Sequence, residues 1–187
     1  MRTLSCDVVI IGAGTSGTFA ALYLAQKGFK IAIIERTPLI GGALTNSLVY
    51  PTAGFHTPNF QEITTPMIKK ILKELISQNL SLGHIRDPLQ FASTITPITP
   101  TAYKLITQKL LKNKNCLLFT LANIKKIKYS NNEIKSVIFS SYNQYYEIKA
   151  KFFIDSTGIL LTSYFIPIDY YFDKENLQAI TLIFKIS

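Results

Sequence analysis

The stretch CDVVIIGAGTSGTFAALYLAQKGFKIAIIE, Cys6 to Glu35, decides how the chain is read. Val8, Val9, Ile10 and Ile11 form a β-branched run stopped by glycine. Such a run suits a short strand buried on both faces. Gly12, Gly14 and Gly17 follow with the spacing G-x-G-x-x-G. The first glycine permits a tight turn out of the strand, the second leaves room for a pyrophosphate against the backbone, and the third lets a helix pack close to the strand. From Thr15 to Lys27, Ala20, Ala21, Leu24 and Ala25 recur at helical spacing, and Gly28 stands where a helix stop is expected. Ile31 to Ile34 make a second strand, ended by Glu35.

This order of parts fits a dinucleotide site. The start of the helix supplies free N–H groups and partial positive charge for a pyrophosphate. Glu35, 23 residues after Gly12, is placed to accept hydrogen bonds from ribose hydroxyls. A carboxylate there repels a 2′-phosphate, so NADP is disfavoured. The glycine spacing alone would also fit a turn with only a packing role. The strand, helix, stop, strand and acid in series favour the nucleotide. NAD and FAD use the same arrangement, so this stretch does not choose between them.

A length of 187 residues suits one domain, and the 48% hydrophobic content is ample for a core. No apolar run reaches the roughly 18 residues that span a bilayer. Asp7 and the glycines spoil the N-terminus as a signal peptide. Cys6 and Cys116 show no metal-ligand spacing, so no metal site is expected; both read as reduced, strand-associated residues of a cytoplasmic protein. The net charge of +9 comes mostly from lysines scattered among Ile and Asn, with arginine only at positions 2, 36 and 86. That pattern argues against nucleic-acid binding, in which clustered arginine is the better phosphate reader.

Further along, Thr65-Pro66 and Thr99-Pro100 are helix-entry signals, a capping threonine followed by proline at the first helical position. They predict helices over about 65–79 and 100–112. The first carries an apolar stripe of Met67, Ile68, Ile71, Leu72, Leu75 and Ile76, with lysines on the solvated side. Ser81 to Pro97 has no clear period and reads as a loop. From Cys116 to Ser140 the pattern becomes β-like, in CLLFT, IKKIKY and IKSVIFS, with a turn at Asn131-Asn132. YYEIKAKFFID adds a further strand or two, and the whole predicts a β-meander.

Three separated motifs now carry a family resemblance: the first glycine loop, the paired Gly41-Gly42 in PLIGGALTN, and KFFIDSTG from Lys151 to Gly158. Alone, the glycine pair would read as an ordinary Pro-Gly turn. In this order the motifs resemble those of the FAD-dependent oxidoreductases of the glutathione-reductase-like, two-dinucleotide-binding-domain superfamily. ERTPLIGGALTNSLVYPTAGFH and LQAITLIFKIS are similar to further parts of that plan. The resemblance implies an α/β, Rossmann-like FAD-binding domain with a parallel sheet, inserted helices and an antiparallel β-meander. It implies a nucleotide-binding core over 1–60 and 113–160, a helical insertion over 61–112, and the start of a substrate domain over 161–187. By position, Gly12, Gly14, Thr15, Ser16 and Gly17 would hold the pyrophosphate. Glu35 would bind ribose, with Arg36 near the adenosine. Gly41, Gly42 and Thr45 would approach the pyrophosphate and the flavin side. Ala122 would offer its backbone to the adenine edge, and Thr157 and Gly158 would close the site.

The chain departs from the family in two ways. Ile159, Leu160 and Leu161 follow Thr-Gly, where the family commonly has an Asp-rich turn. The chain stops at Ser187, where family members continue. It therefore reads as a fragment, its substrate part coming from absent sequence or from a second polypeptide. Ile166, Ile180, Leu182 and Phe184 are expected on the surface where that part would dock. No constellation here performs acid–base work by itself, and no Cys-x-x-Cys pair exists. The resemblance places His56, in GFHTPN, near the isoalloxazine; read alone it is a polar loop residue, as is His84. An FAD-binding oxidoreductase or its N-terminal fragment, with substrate and electron donor undefined, is the leading reading. A non-catalytic remnant and an NAD-binding module stay open beside it.

Overall fold

The computed structural model describes residues 1–49, 51–113 and 115–171, together with 173, 175, 177 and 183. In chain order the elements are β1 (Arg2–Ser5), β2 (Val8–Ile11), α1 (Thr15–Gln26), β3 (Ile31–Ile34), α2 (Ala43–Asn46), β4 (Pro51–Ala53), α3 (Pro66–Ser77), β5 (Ile85–Arg86) and β6 (Thr94–Pro97). Then come α4 (Pro100–Leu111), β7 (Cys116–Phe119), β8 (Ala122–Ser130), β9 (Glu133–Ser141), β10 (Gln144–Lys149), β11 (Phe152–Asp155) and a 3-10 turn at Leu161–Tyr164.

The β-branched runs form the centre of the molecule. Strands β11, β2, β3 and β7 lie side by side in that order, all parallel. Every residue of β2 and β3 is buried. Alternation sends Val8, Ile10, Ile31 and Ile33 to one face, against α1, α4 and Leu75 of α3. Val9, Ile11, Ala32 and Ile34 go to the other, against Ile127, Val137, Phe139 and Ile148 of the meander. Each fully buried Ile is worth about 1.5–3 kcal/mol by transfer from water.

The capping signals operate as the sequence predicts. Thr65 and Thr99 accept hydrogen bonds from the Ile68 and Ala102 N–H groups, and proline follows each. The meander β8–β9–β10 turns at Asn131-Asn132, with φ of 52° and 58°, and again at Tyr142-Asn143, with φ of 48° and 61°. Both are two-residue left-handed turns whose twist matches the strands. The N-terminal β1 adds to this sheet in parallel with β10.

Four expectations need correction. Ser81 to Pro97 is more than loop: β5 and β6 pair with each other, and β6 also pairs with β4, making a small antiparallel sheet. These strands are too short to show a period, and their partner lies far away in sequence. The segment 61–112 thus carries strands as well as its two helices. The Cys116 strand belongs to the parallel sheet rather than to the meander. Ile166 is 7% exposed, packed into the meander-side core, because the turn after β11 folds back onto that face. Ile180, Leu182 and Phe184 lie outside the described residues.

Candidate functional site

Parallel strands end together, so the residues just past β2, β3 and β11 gather at one edge. Gly12 N–H donates to Ile34 O and Ser156 N–H to Ile11 O, each at 2.8 Å, which carries the register into the turns. Gly12 has φ of +94°, and a Cβ there would fall 2.9 Å from Ser156 O. Gly17 is the point of closest helix–strand approach. A Cβ on it would lie 2.1 Å from Gly12 O and 2.4 Å from Ser156 Oγ. Ser156 Oγ occupies this space and donates to Gly12 O at 2.7 Å and Ile11 O at 3.0 Å.

Gly14 differs. Beyond its chain neighbours, the nearest atom to a Cβ there would be Ser156 O, at 3.9 Å. Gly14 is the N-cap of α1, and no side chain caps the helix. Thr15 and Ser16 in the first turn are exposed. The first N–H groups of a helix have no intrahelical partner, so this end presents donors and partial positive charge to an open space.

The second glycine turn packs directly on the first. Gly41 N–H donates to Ala13 O at 2.7 Å. Gly42, at φ +55°, would place a Cβ 2.9 Å from Gly14 Cα. Thr45 Oγ1 donates to Ile40 O at 2.9 Å, so its hydroxyl closes its own turn. Tyr103 stands behind: a Cβ on Gly41 would lie 2.8 Å from its ring. The Tyr103 hydroxyl is buried without a hydrogen bond of good geometry. Burial pushes its phenol up to about 12, with the nearby Thr18 hydroxyl acting in the opposite direction.

Glu35 links these parts. Its Oε2 accepts from Ala13 N–H at 2.7 Å, and its Oε1 accepts from the Thr37 N–H and hydroxyl at 2.7 and 2.8 Å. The acid read as a ribose ligand therefore also braces the glycine loop. Ala122 N–H donates to Glu35 O at 2.8 Å, which sets Ala122 beside the acid but commits its N–H. Arg36 is exposed at the rim.

Past β11, Asp155 organises the Thr-Gly turn. Its carboxylate accepts from the N–H and hydroxyl of both Thr157 and Thr162. Burial disfavours its charge, but these four donors outweigh burial and hold the carboxyl below the usual aspartate range. The Thr157 hydroxyl serves this turn, Gly158 is exposed at φ +76°, and Ile159 is 58% exposed. Burial raises both thiols, Cys6 and Cys116, to about 11, so neither is a reactive thiolate.

His56 lies in the loop that follows β4, bridged to Glu62 and in contact with His84. Phe55, Thr52 and Thr96 of that region line an apolar cavity of about 40 Å³ shared with Thr15. The fold thus brings together the glycine loop, Glu35, Gly41, Gly42, Ala122 and the Ser156–Thr157 turn. No local sequence signal marks Ser156, Ala13 or Thr37. Ser156 acts on Gly12 across 144 positions, a distance that local pattern does not bridge.

A parallel sheet with two glycine turns, an uncapped helix and an acid at adjoining strand ends defines a dinucleotide-binding domain. The FAD dependent oxidoreductase family matches residues 7–175, and the chain belongs to that family. Among curated proteins, a ferredoxin–NADP reductase of Geobacillus kaustophilus is 30% identical over 63% of this chain and 34% of its own length. A thiamine thiazole synthase of Pyrococcus abyssi is 25% identical over 84% of this chain and 59% of its own length. The chain thus spans between 34% and 59% of these relatives. Two solved structures share the fold. A geranylgeranyl bacteriochlorophyll reductase-like protein of Thermoplasma acidophilum has a TM-score of 0.57 at 16% identity, covering 87% of this chain and 41% of that one. The THI4 protein of Thermovibrio ammonificans has a TM-score of 0.56 at 21% identity, covering 82% and 57%.

Proposed function

We propose that this chain binds the ADP half of FAD and serves as the nucleotide-holding part of an oxidoreductase. One observation carries the reading, the open cradle at Gly14. Its backbone angles, φ −67° and ψ −169°, are open to any residue, and a Cβ there meets nothing closer than 3.9 Å. The protein's own packing does not require glycine at this position; a pyrophosphate lying against the backbone does.

The site residues fit that group. Gly14, Thr15 and Ser16 would offer N–H donors to the pyrophosphate, with Gly42 closing the far side. Glu35 keeps lone pairs free for ribose hydroxyls after accepting from Ala13 and Thr37. Arg36 lies at the adenosine rim, and Thr157 and Gly158 edge the site toward the flavin. Bound flavin supplies the redox chemistry; this chain binds and orients it. The belonging to an FAD-dependent family favours FAD over NAD as the ligand.

The test is a titration of the purified chain with FAD, NAD and NADP, followed by flavin and protein fluorescence. FAD should bind, and NADP should bind more weakly than NAD because Glu35 faces the 2′ position. Gly14→Val should lower FAD affinity about tenfold or more while leaving the melting temperature nearly unchanged. Undiminished FAD affinity in that variant overturns the assignment.

A further inference from the structure

The sequence holds two histidines, His56 and His84, and the fold sets them ring to ring. Their ring centres lie 4.8 Å apart with planes at 81°. Each is anchored through Nδ1 to a threonine of β6: His56 to Thr94 at 2.9 Å, His84 to Thr96 at 2.6 Å. Both threonines are buried, and they project to one face of the strand. The pair therefore clamps the 55–62 loop and the start of β5 onto β6.

The surrounding charges are few. Glu62 Oε1 lies 3.8 Å from His84 Nε2. Lys69 of α3 pairs with Glu62 Oε2 at 2.9 Å, and the Thr64 hydroxyl also donates to Glu62. Arg86 of β5 is turned over the Phe60 ring. β4 and β6 carry no titratable side chain. Glu62, already holding a cation, is the carboxylate that faces His84 among the described residues. Two imidazoliums at this separation repel strongly in a half-buried setting.

We propose that the His56–His84 pair is a proton-sensitive latch on the small sheet: the first proton is balanced by Glu62, and the second releases the 55–62 loop and β5 from β6. The consequence reaches the nucleotide turn, because Thr52, Phe55 and Thr96 wall the cavity that Thr15 shares. Acidification loosens that wall. Burial and the neighbouring His56 both lower the His84 value. Stability from the neutral pair is therefore present at high pH, and it is lost as pH falls below the free histidine value of about 6.5 toward the lowered one. The latch does not depend on which dinucleotide binds.

Proton NMR can follow the two imidazole Cε1–H signals of the whole chain through the acidic range. The expected result is a His84 midpoint below the free histidine value. In His56→Asn, whose amide can keep the Thr94 contact, the His84 midpoint should move up by about half a unit or more. Amide exchange gives the second readout. After correction for intrinsic rates, protection of β5 and β6 should fall about tenfold or more between about pH 7.5 and about pH 5, while β2 and β3 hold. His84→Asn should abolish that fall. An unmoved His84 midpoint in His56→Asn, or equal loss of protection in His84→Asn, overturns the latch. Should neither variant fold, superimposable independent titrations of the two wild-type histidines overturn it.

Discussion

A methyl group added at Gly17 would sit 2.1 Å from a backbone oxygen, whereas one at Gly14, three positions earlier, would enter open space. The two glycines of one motif thus have separable roles, and Gly17→Ala is the counterpart of the Gly14 variant. It must push α1 away from β2, so it should cost about 3 kcal/mol or more by urea unfolding, with FAD affinity falling only as the fold is lost. Asp155 makes a second single-residue prediction. Its value is depressed in the fold, so its contribution is present above the ordinary aspartate value of about 4 and is lost as pH falls through the lowered one. Asp155→Asn should lower stability by about 1 kcal/mol at neutral pH, and the gap from wild type should close in acid. A gap that stays constant down to low pH would show that the charge contributes nothing.

The helices divide by how their first turns are satisfied. α4 begins with the Thr99 side chain accepting from Ala102 N–H at 3.2 Å, and its Ala102, Ile106 and Leu110 complete the core under the parallel sheet. Removing the cap by Thr99→Ala should cost about 1 kcal/mol, read as a lower urea midpoint at unchanged slope. The Thr65 cap on α3 is longer, 3.4 Å, and exposed, so the same change there should cost less. α1 has no such cap, consistent with the proposal that an anion serves in its place. The small sheet is held by few backbone pairs between β4, β5 and β6, and the contacts of His56 with Thr94 and of His84 with Thr96 add side-chain hydrogen bonds to it.

Across the molecule, the parallel sheet is filled on one face by helices and on the other by the meander, so the nucleotide edge is the rim of a rigid double-sided core. In the proposed function, the residues at that rim would hold the adenine and pyrophosphate end. A flavin ring needs walls on both sides to exclude water and to aim the reacting atom. Directly after the Thr-Gly turn, Ile159 and Leu160 are apolar and 58% and 37% exposed, and among the described residues they form no enclosing wall. We therefore expect the 187-residue chain, loaded with FAD and offered NADH, NADPH and common electron acceptors, to reduce flavin no faster than free FAD. Reduction well above that rate in stopped-flow absorbance would show that the chain turns over by itself.

Sequence alone determined the features that rest on local chemistry: the two β-branched strands, the glycine turn between them, α1 with its stop at Gly28, the Thr-Pro helix starts and the Asn-Asn hairpin. Each follows from sterics or capping within a few residues, which neighbouring residue types specify. The gathering of Gly12, Gly14, Gly17 and Glu35 at one strand edge was legible for the same reason, since the spacing is set along one continuous strand–turn–helix–strand unit. Tertiary structure decided what depends on distant partners. Ser156 fills the space that Gly17 leaves, Ile166 is buried against the meander, and the Cys116 strand joins β3 rather than its sequence neighbours. The same holds for the small sheet and its histidine pair. Its strands are two to four residues long, too short to carry a period, and β6 is a strand because β5 and, some forty residues before it, β4 supply the hydrogen bonds that its backbone needs.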